Sequence, residues 1–204
     1  LFRSRRPYES LMRREFVERG SPARAQLLFV LSWFHAVLQE RRTYIPQGWT
    51  KFYEFSPADL RSAADICDTS AGVAAGQPDW VTIHGLLGGA IYGGRVDNQQ
   101  DERLLHVYLQ QFFSSGMLSK GRGIVPGVVL PTTGSHADYV AVISRIPAQD
   151  TPGLFGLPAN AEAAVQSRVA GHLQLTLRQL GTDTQAAAAF DREAWSASLE
   201  PLLG

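Results

Sequence analysis

"SPARAQLLFVLSWFHAVLQERR", residues 21–42, decides the class of fold. Ser21 offers a hydroxyl to the free amides of a helix start, and Pro22 suits the first helical position, where its missing N–H is not needed. Leu27, Leu31, Phe34 and Leu38 recur at helical spacing, and Leu28, Val30, Trp33 and Val37 widen the apolar stripe almost all the way round. A helix apolar on most sides is packed between other elements. His35 lies inside the stripe. It reads as a hydrogen-bonded core imidazole in preference to a catalytic group.

Downstream, Pro46 and Gly48 turn the chain. Tyr44, Trp49, Phe52, Tyr53 and Phe55 crowd this connection with more rings than a turn requires. "SPAD" at 56–59 then starts a second helix, expected to run to about Asp68: Ser56 accepts from early amides, Pro57 needs no donor, and Asp59 sits at the positive helix end. Gly72 and Gly76 mark a soft loop. Asp79 can cap "WVTIHGLLGGAIYGG", whose Gly85, Gly88 and Gly89 are expected where another backbone packs close, and Gly93-Gly94 ends that helix. Asp97 with Gln100 reads as a capping box for the helix holding Leu104, Leu105, Tyr108, Leu109, Phe112 and Phe113.

Upstream, residues 1–20 are basic and weakly patterned, with a short helix expected around Ser10–Arg19. Towards the C-terminus, "GIVPGVVLP" at 123–131 allows two short extended pieces and no full sheet. "SHAD" at 135–138 repeats the capping logic for a helix over 137–146, stopped by Pro147. A connector anchored by Leu154, Phe155 and Leu157 leads to a long helix over about 159–180, which Gly181 should end. Asp183 or Thr184 would cap a last helix through Phe190, Trp195 and Leu199. The fold expected is mostly α, a helical bundle with additional helices and at most a short β-hairpin.

The 204 residues are 45% hydrophobic with zero formal net charge, enough for one domain or two small ones with cores. Neutrality argues against nucleic acid, which requires a basic surface. No apolar run reaches the ~20 residues of a membrane span. Cys67 stands alone, so there is no disulfide framework and the expected compartment is reducing. Positive charge is nearly all arginine, Lys51 and Lys120 being the only lysines. That reflects either a need for forked contacts or a genomic base bias. "LFRSRRPYES" is too charged for a signal peptide, and the abrupt start and finish suggest an excised fragment.

Catalytic signatures are missing. Neither lysine follows the glycines of a phosphate loop, and Asp101-Glu102 follows polar residues instead of an apolar strand. His35, His84, His106, His136 and His172 are scattered without zinc-ligand spacing, and there is no G-x-S-x-G. By its own residues the chain is not expected to be an enzyme.

"LSWFHAVLQERRTYIPQGWTKFYEFSPADLR" (31–61) and "AIYGGRVDNQQDERLLHVYLQQFF" (90–113) resemble the dynein heavy chain family, in the helical small (lid) subdomain of its sixth and last AAA+ module. "FGLPANAE" at 155–162 resembles the opening of the C-terminal domain beneath the motor ring. Within the family, "YIPQGWTKFYEF" and "FDREAWSASLEPLL" are most similar to the cytoplasmic type 2 form. The resemblance implies a lid over residues 1–146 and the start of the C-terminal domain over 147–204.

It further implies a non-catalytic part of a minus-end-directed microtubule motor ATPase, working in retrograde intraflagellar transport in the cytoplasm and cilium. No cofactor would be bound here, ATP and magnesium belonging to other modules. Partners would be the other AAA+ modules of the same heavy chain, with intermediate chains, light intermediate chains and microtubules reached through the parent motor. Glu40, Arg41, Arg42, Trp49, Tyr53, Arg95 and Asp97 become the interface or structural candidates. For the three charges at 40–42 a solvated helix end is the competing reading. Arg95 is expected to form a structural salt bridge, the alternative being a nucleotide sensor. A different class of function also stands: a self-sufficient helical binding module that recruits transport subunits.

Overall fold

A computed structural model of the chain describes residues 12–71, 77–119, 121–125, 127–146 and 151–188. Gly72, Gly76, Lys120, Pro147 and the expected last helix through Phe190, Trp195 and Leu199 lie outside them. The chain divides into two compact units, Leu1–Glu162 and Ala163–Gly204.

The first unit runs α1 (Arg14–Val17), α2 (Pro22–Glu40), a 3-10 turn (Arg41–Tyr44), α3 (Pro57–Ala71), α4 (Trp80–Leu86), α5 (Gln99–Phe112), a hairpin of β1 (Gly123–Val125) and β2 (Val128–Val129), α6 (His136–Arg145) and a 3-10 turn (Pro152–Phe155). A long helix, α7 (Asn160–Ala188), follows. The antiparallel pairing of β1 and β2 is the one sheet among the described residues. The mostly helical class expected from the sequence is the class observed.

Helix α2 is the spine. Ser21 Oγ accepts from the Arg24 amide at 3.3 Å, and every residue from Ala25 to Leu38 is buried. Its main neighbour is α3, with α5 against another face. Phe34 sits edge-on to Tyr92 at 5.1 Å and to Phe113 at 5.3 Å, so three rings meet off one helix position. Each fully buried side chain of this size contributes roughly 1.5–3 kcal/mol of transfer free energy. The capping box at the start of α3 is reciprocal: Ser56 Oγ accepts from the Asp59 amide at 3.3 Å, and Asp59 Oδ2 accepts from the Ser56 amide at 2.7 Å. Asp79 caps α4 as expected, accepting from the Thr82 amide at 3.2 Å.

Several expectations fail, each for a local reason. The cap of α5 is Asn98, whose Oδ1 accepts from the Gln100 and Asp101 amides at 2.8 and 3.3 Å; Asp97 is drawn away to Lys51 and Tyr53. Ser135 occupies the cap position of α6 without a side-chain capping bond: the Asp138 amide donates to the Ser135 carbonyl at 3.2 Å, and the Asp138 carboxylate is held by Thr133. The short helix expected around Ser10–Arg19 is present as α1, Arg14–Val17, Ser10 lying outside the described residues. Helix α7 continues through Gly181 and past Asp183 and Thr184 to Ala188. One glycine costs a helix about 1 kcal/mol, too little to stop one that continues into Gln-Ala-Ala-Ala.

After Leu86 helix α4 widens into a π turn, Leu87–Ile91, closed by a 3-10 turn, Gly93–Arg95. The close backbone approach expected around Gly85, Gly88 and Gly89 occurs at Gly93: a Cβ there would lie 1.6 Å from the Gly88 carbonyl oxygen. Gly88 packs on the Leu109 and His106 side chains, while Gly85 and Gly89 face open space.

Candidate functional site

The 40–61 crossing forms a polar and aromatic cluster at the C-terminal end of α2. Arg41 takes the C-cap of α2, where a cation is favoured by the helix dipole. Its side chain turns inward and is 3% exposed. Nε donates to the Gly48 carbonyl at 3.0 Å, and Nη1 to the Tyr108 hydroxyl at 2.6 Å and the Phe155 carbonyl at 2.8 Å. The Tyr108 hydroxyl in turn donates to the Phe155 carbonyl at 2.9 Å. The guanidinium also lies over the rings of Tyr108 and Trp49, at 5.1 and 5.8 Å. Its acceptors are all neutral, and burial lowers its pKa from the ordinary arginine value. Buried charge without a counterion is tolerated only when its donors are satisfied, and the carbonyls and rings do this here.

A second cluster centres on Asp101, buried in the first turn of α5. It accepts from the Tyr53 hydroxyl at 2.8 Å and from the amide and hydroxyl of Thr50. Burial, then the bond to Asp101, pushes the Tyr53 phenol up to about 12. Outside it, Lys51 pairs with Asp97 on the surface. These bonds fix the crossing loop against the start of α5. Trp49 is 1% exposed, donates Nε1 to the Leu38 carbonyl at 2.9 Å and meets Tyr53 edge-on at 5.7 Å.

The remaining candidates lie further out. Arg95 forms an ion pair with Asp59 at 2.9 Å. Burial acts against the Asp59 charge, but the Ser56 amide and hydroxyl and the Arg95 guanidinium hold its pKa below the usual range. Arg42 is half-buried, donates to the Gln39 carbonyl and lies 5.1 Å over the ring of Phe52, which is 65% exposed. Glu40 is half-buried and accepts from Thr43. The structure therefore joins Arg41 to Trp49, and Tyr53 to Asp97, and holds Arg95 with Asp59 apart from both. Neither a solvated end nor an outward contact describes Arg41.

Sequence reasoning did not single out Asp101, Tyr108 or Arg24 as polar partners. Asp101, three residues after a cap, carried a local signal. Tyr108 and Phe155 lie 67 and 114 residues from Arg41 and carried none. Among the described residues no group of three or more His, Cys, Asp or Glu could hold a metal ion, and no helix is long and apolar enough to cross a membrane.

This bundle, with its capped helices and packed crossing, matches a known family over residues 24–161: the dynein heavy chain AAA lid domain. The chain belongs to the dynein heavy chain family. It is 50% identical over 194 residues to cytoplasmic dynein 2 heavy chain 1 of Chlamydomonas reinhardtii, covering 93% of this chain and 4% of that protein. To the human cytoplasmic dynein 2 heavy chain 1 it is 46% identical over 204 residues, covering 97% and 5%. The cytoplasmic dynein heavy chain of Dictyostelium discoideum is 41% identical over 157 residues, covering 72% and 3%. The chain thus spans one-twentieth or less of the length of the curated relatives it matches.

Proposed function

We propose that this dynein lid is a non-catalytic block of the motor ring, in the sixth AAA+ module of a type 2 heavy chain that moves towards microtubule minus ends in retrograde intraflagellar transport. The family match over 24–161 carries the reading. In it, residues 1–146 are the lid and 147–204 begin the C-terminal domain. The lid packs against the first module and passes on motion driven by ATP hydrolysed elsewhere in the ring. Dense packing supports this, because packed cores switch between discrete arrangements and do not stretch. The exposed Phe52 under Arg42 supplies an apolar and charged outer contact for that neighbour. Intermediate chains, light intermediate chains and microtubules are met by other parts of the parent, in the cytoplasm and cilium.

Two measurements test it. The full-length heavy chain on polarity-marked microtubules should glide towards the minus end; plus-end movement, or none, overturns the motor reading. Titration of the 204-residue chain with ATP and magnesium should show no binding. Saturable binding or turnover overturns the non-catalytic role.

A second reading, a helical module recruiting transport subunits, draws on the exposed Val169, Leu173, Leu177 and Leu180 of α7. It requires capture of such subunits by the chain and loss of capture in Leu173→Asp.

A further inference from the structure

We infer that α2 is a strut whose two end arginines, Arg24 and Arg41, clamp the segments at 16–19 and 155–156 to it, so that motion passes along this one helix. The inference rests on the ring-transmission reading above. At the N-terminal end, Arg24 donates to the carbonyls of Phe16 and of Arg19, the latter at 2.8 Å, and pairs with Asp68 of α3 at 2.9 Å. Its guanidinium also lies 5.7 Å over the ring of Phe16. The segment that precedes α2 is therefore held by its backbone. At the other end, Arg41 holds the Phe155 carbonyl directly and through Tyr108. Phe155 belongs to the 3-10 turn that precedes α7. That turn closes at Gly156, which has φ of +66°; a Cβ there would lie 2.7 Å from the Tyr108 hydroxyl.

Three features make this a transmitting arrangement and not merely a stable one. Both arginines grip main-chain carbonyls, so each clamp fixes the path of the chain. The planar guanidinium meets several acceptors at once, which an ammonium cannot reproduce. Between the clamps every residue from Ala25 to Leu38 is buried, so α2 cannot slide without repacking the core. The arginines are 17 positions apart, roughly 26 Å along a helix. A displacement at 16–19 is delivered to 155–156 with little elastic loss.

Arg24 and Arg41 are thus positioning residues. The experiment uses the full-length heavy chain with Arg41→Gln, Arg41→Lys, Arg24→Gln and Tyr108→Phe. Each is measured for basal and microtubule-stimulated ATP turnover, thermal stability, and amide exchange at residues 16–20 and 156–157. Tyr108→Phe removes one hydroxyl and serves if the arginine variants fail to fold. The inference expects folded variants with faster exchange at the released segment alone and a stimulated-to-basal ratio lowered about fivefold or more, the lower end of allosteric couplings. It also expects no rescue by lysine. Released exchange with an unchanged ratio, or unchanged exchange, overturns the strut while leaving the motor reading intact. A parent chain that microtubules do not stimulate overturns the motor reading and the strut with it.

Discussion

The Tyr92 hydroxyl lies 3.0 Å from Nδ1 of His35, and both side chains are buried. Burial lowers the His35 pKa to about 4, with Asp59 opposing and Arg42 assisting. The unfolded state protonates this imidazole near 6.5, well before the folded state does. It therefore binds more protons between those values, and stability falls as pH drops from about 6.5 towards 4. The loss between pH 7 and 5 should be about 2 kcal/mol. Denaturant titrations at the two pH values check it, and in His35→Gln the dependence over this window should largely vanish. The window lies above that of Asp59, whose depressed pKa withdraws stability only at lower pH.

Trp33 and Phe34 are 1% and 0% exposed, on the helix that packs against α1, α3, α5 and the 3-10 turn at 41–44. Truncating either to alanine should cost about 3–5 kcal/mol through lost transfer energy and an unfilled cavity. Against a total of ~5–15 kcal/mol this approaches complete unfolding. Melting of each variant measures it; a shift of only a degree or two would remove α2 from the centre of the core. Phe34→Leu, which keeps most of the volume, should retain much of the loss because three ring contacts disappear together.

What the sequence made legible was local in origin. The stripe of α2, the reciprocal Ser56–Asp59 cap and the Asp79 cap depend on residues within a few positions of one another. Arg41 was not legible in this way. Charge at a helix end satisfies the dipole whether the side chain points out or in, and two of the acceptors that turn it inward lie 67 and 114 residues away. The rings at 44–55 stood out as more than a turn requires, and of these Phe52 alone stays exposed. Gly181 misled because a single weak position was weighed without the strong helix formers after it.

The Asp97–Asn98 pair gives a test of the cap. Asn98 carries the bonds to the Gln100 and Asp101 amides, whereas Asp97 reaches across the surface to Lys51. Asn98→Ala should destabilise by about 1 kcal/mol. Asp97→Ala should change stability little, because exposed ion pairs are screened by solvent. The comparison is made by chemical denaturation of both variants under one set of conditions. A larger loss at position 97 would return the cap to Asp97.

The glycines of the α4 region separate geometric need from tolerance. At Gly93 a methyl group would lie 1.6 Å from the Gly88 carbonyl oxygen, so Gly93→Ala forces the π turn and the following 3-10 turn to open. Gly85 lies in regular helix with nothing within 4 Å of its added Cβ. Gly85→Ala should therefore stabilise by up to about 1 kcal/mol through propensity and reduced unfolded-state entropy. Gly93→Ala should destabilise by ~3 kcal/mol or more, the range of strained backbone substitutions. The distortion should also reach Tyr92, which neighbours Gly93 and whose ring meets Phe34 and Phe55. Near-ultraviolet circular dichroism of Gly93→Ala should accordingly lose aromatic signal while Gly85→Ala keeps it. Equal stability in the two variants would mean that the π turn is not the shape the chain holds in solution.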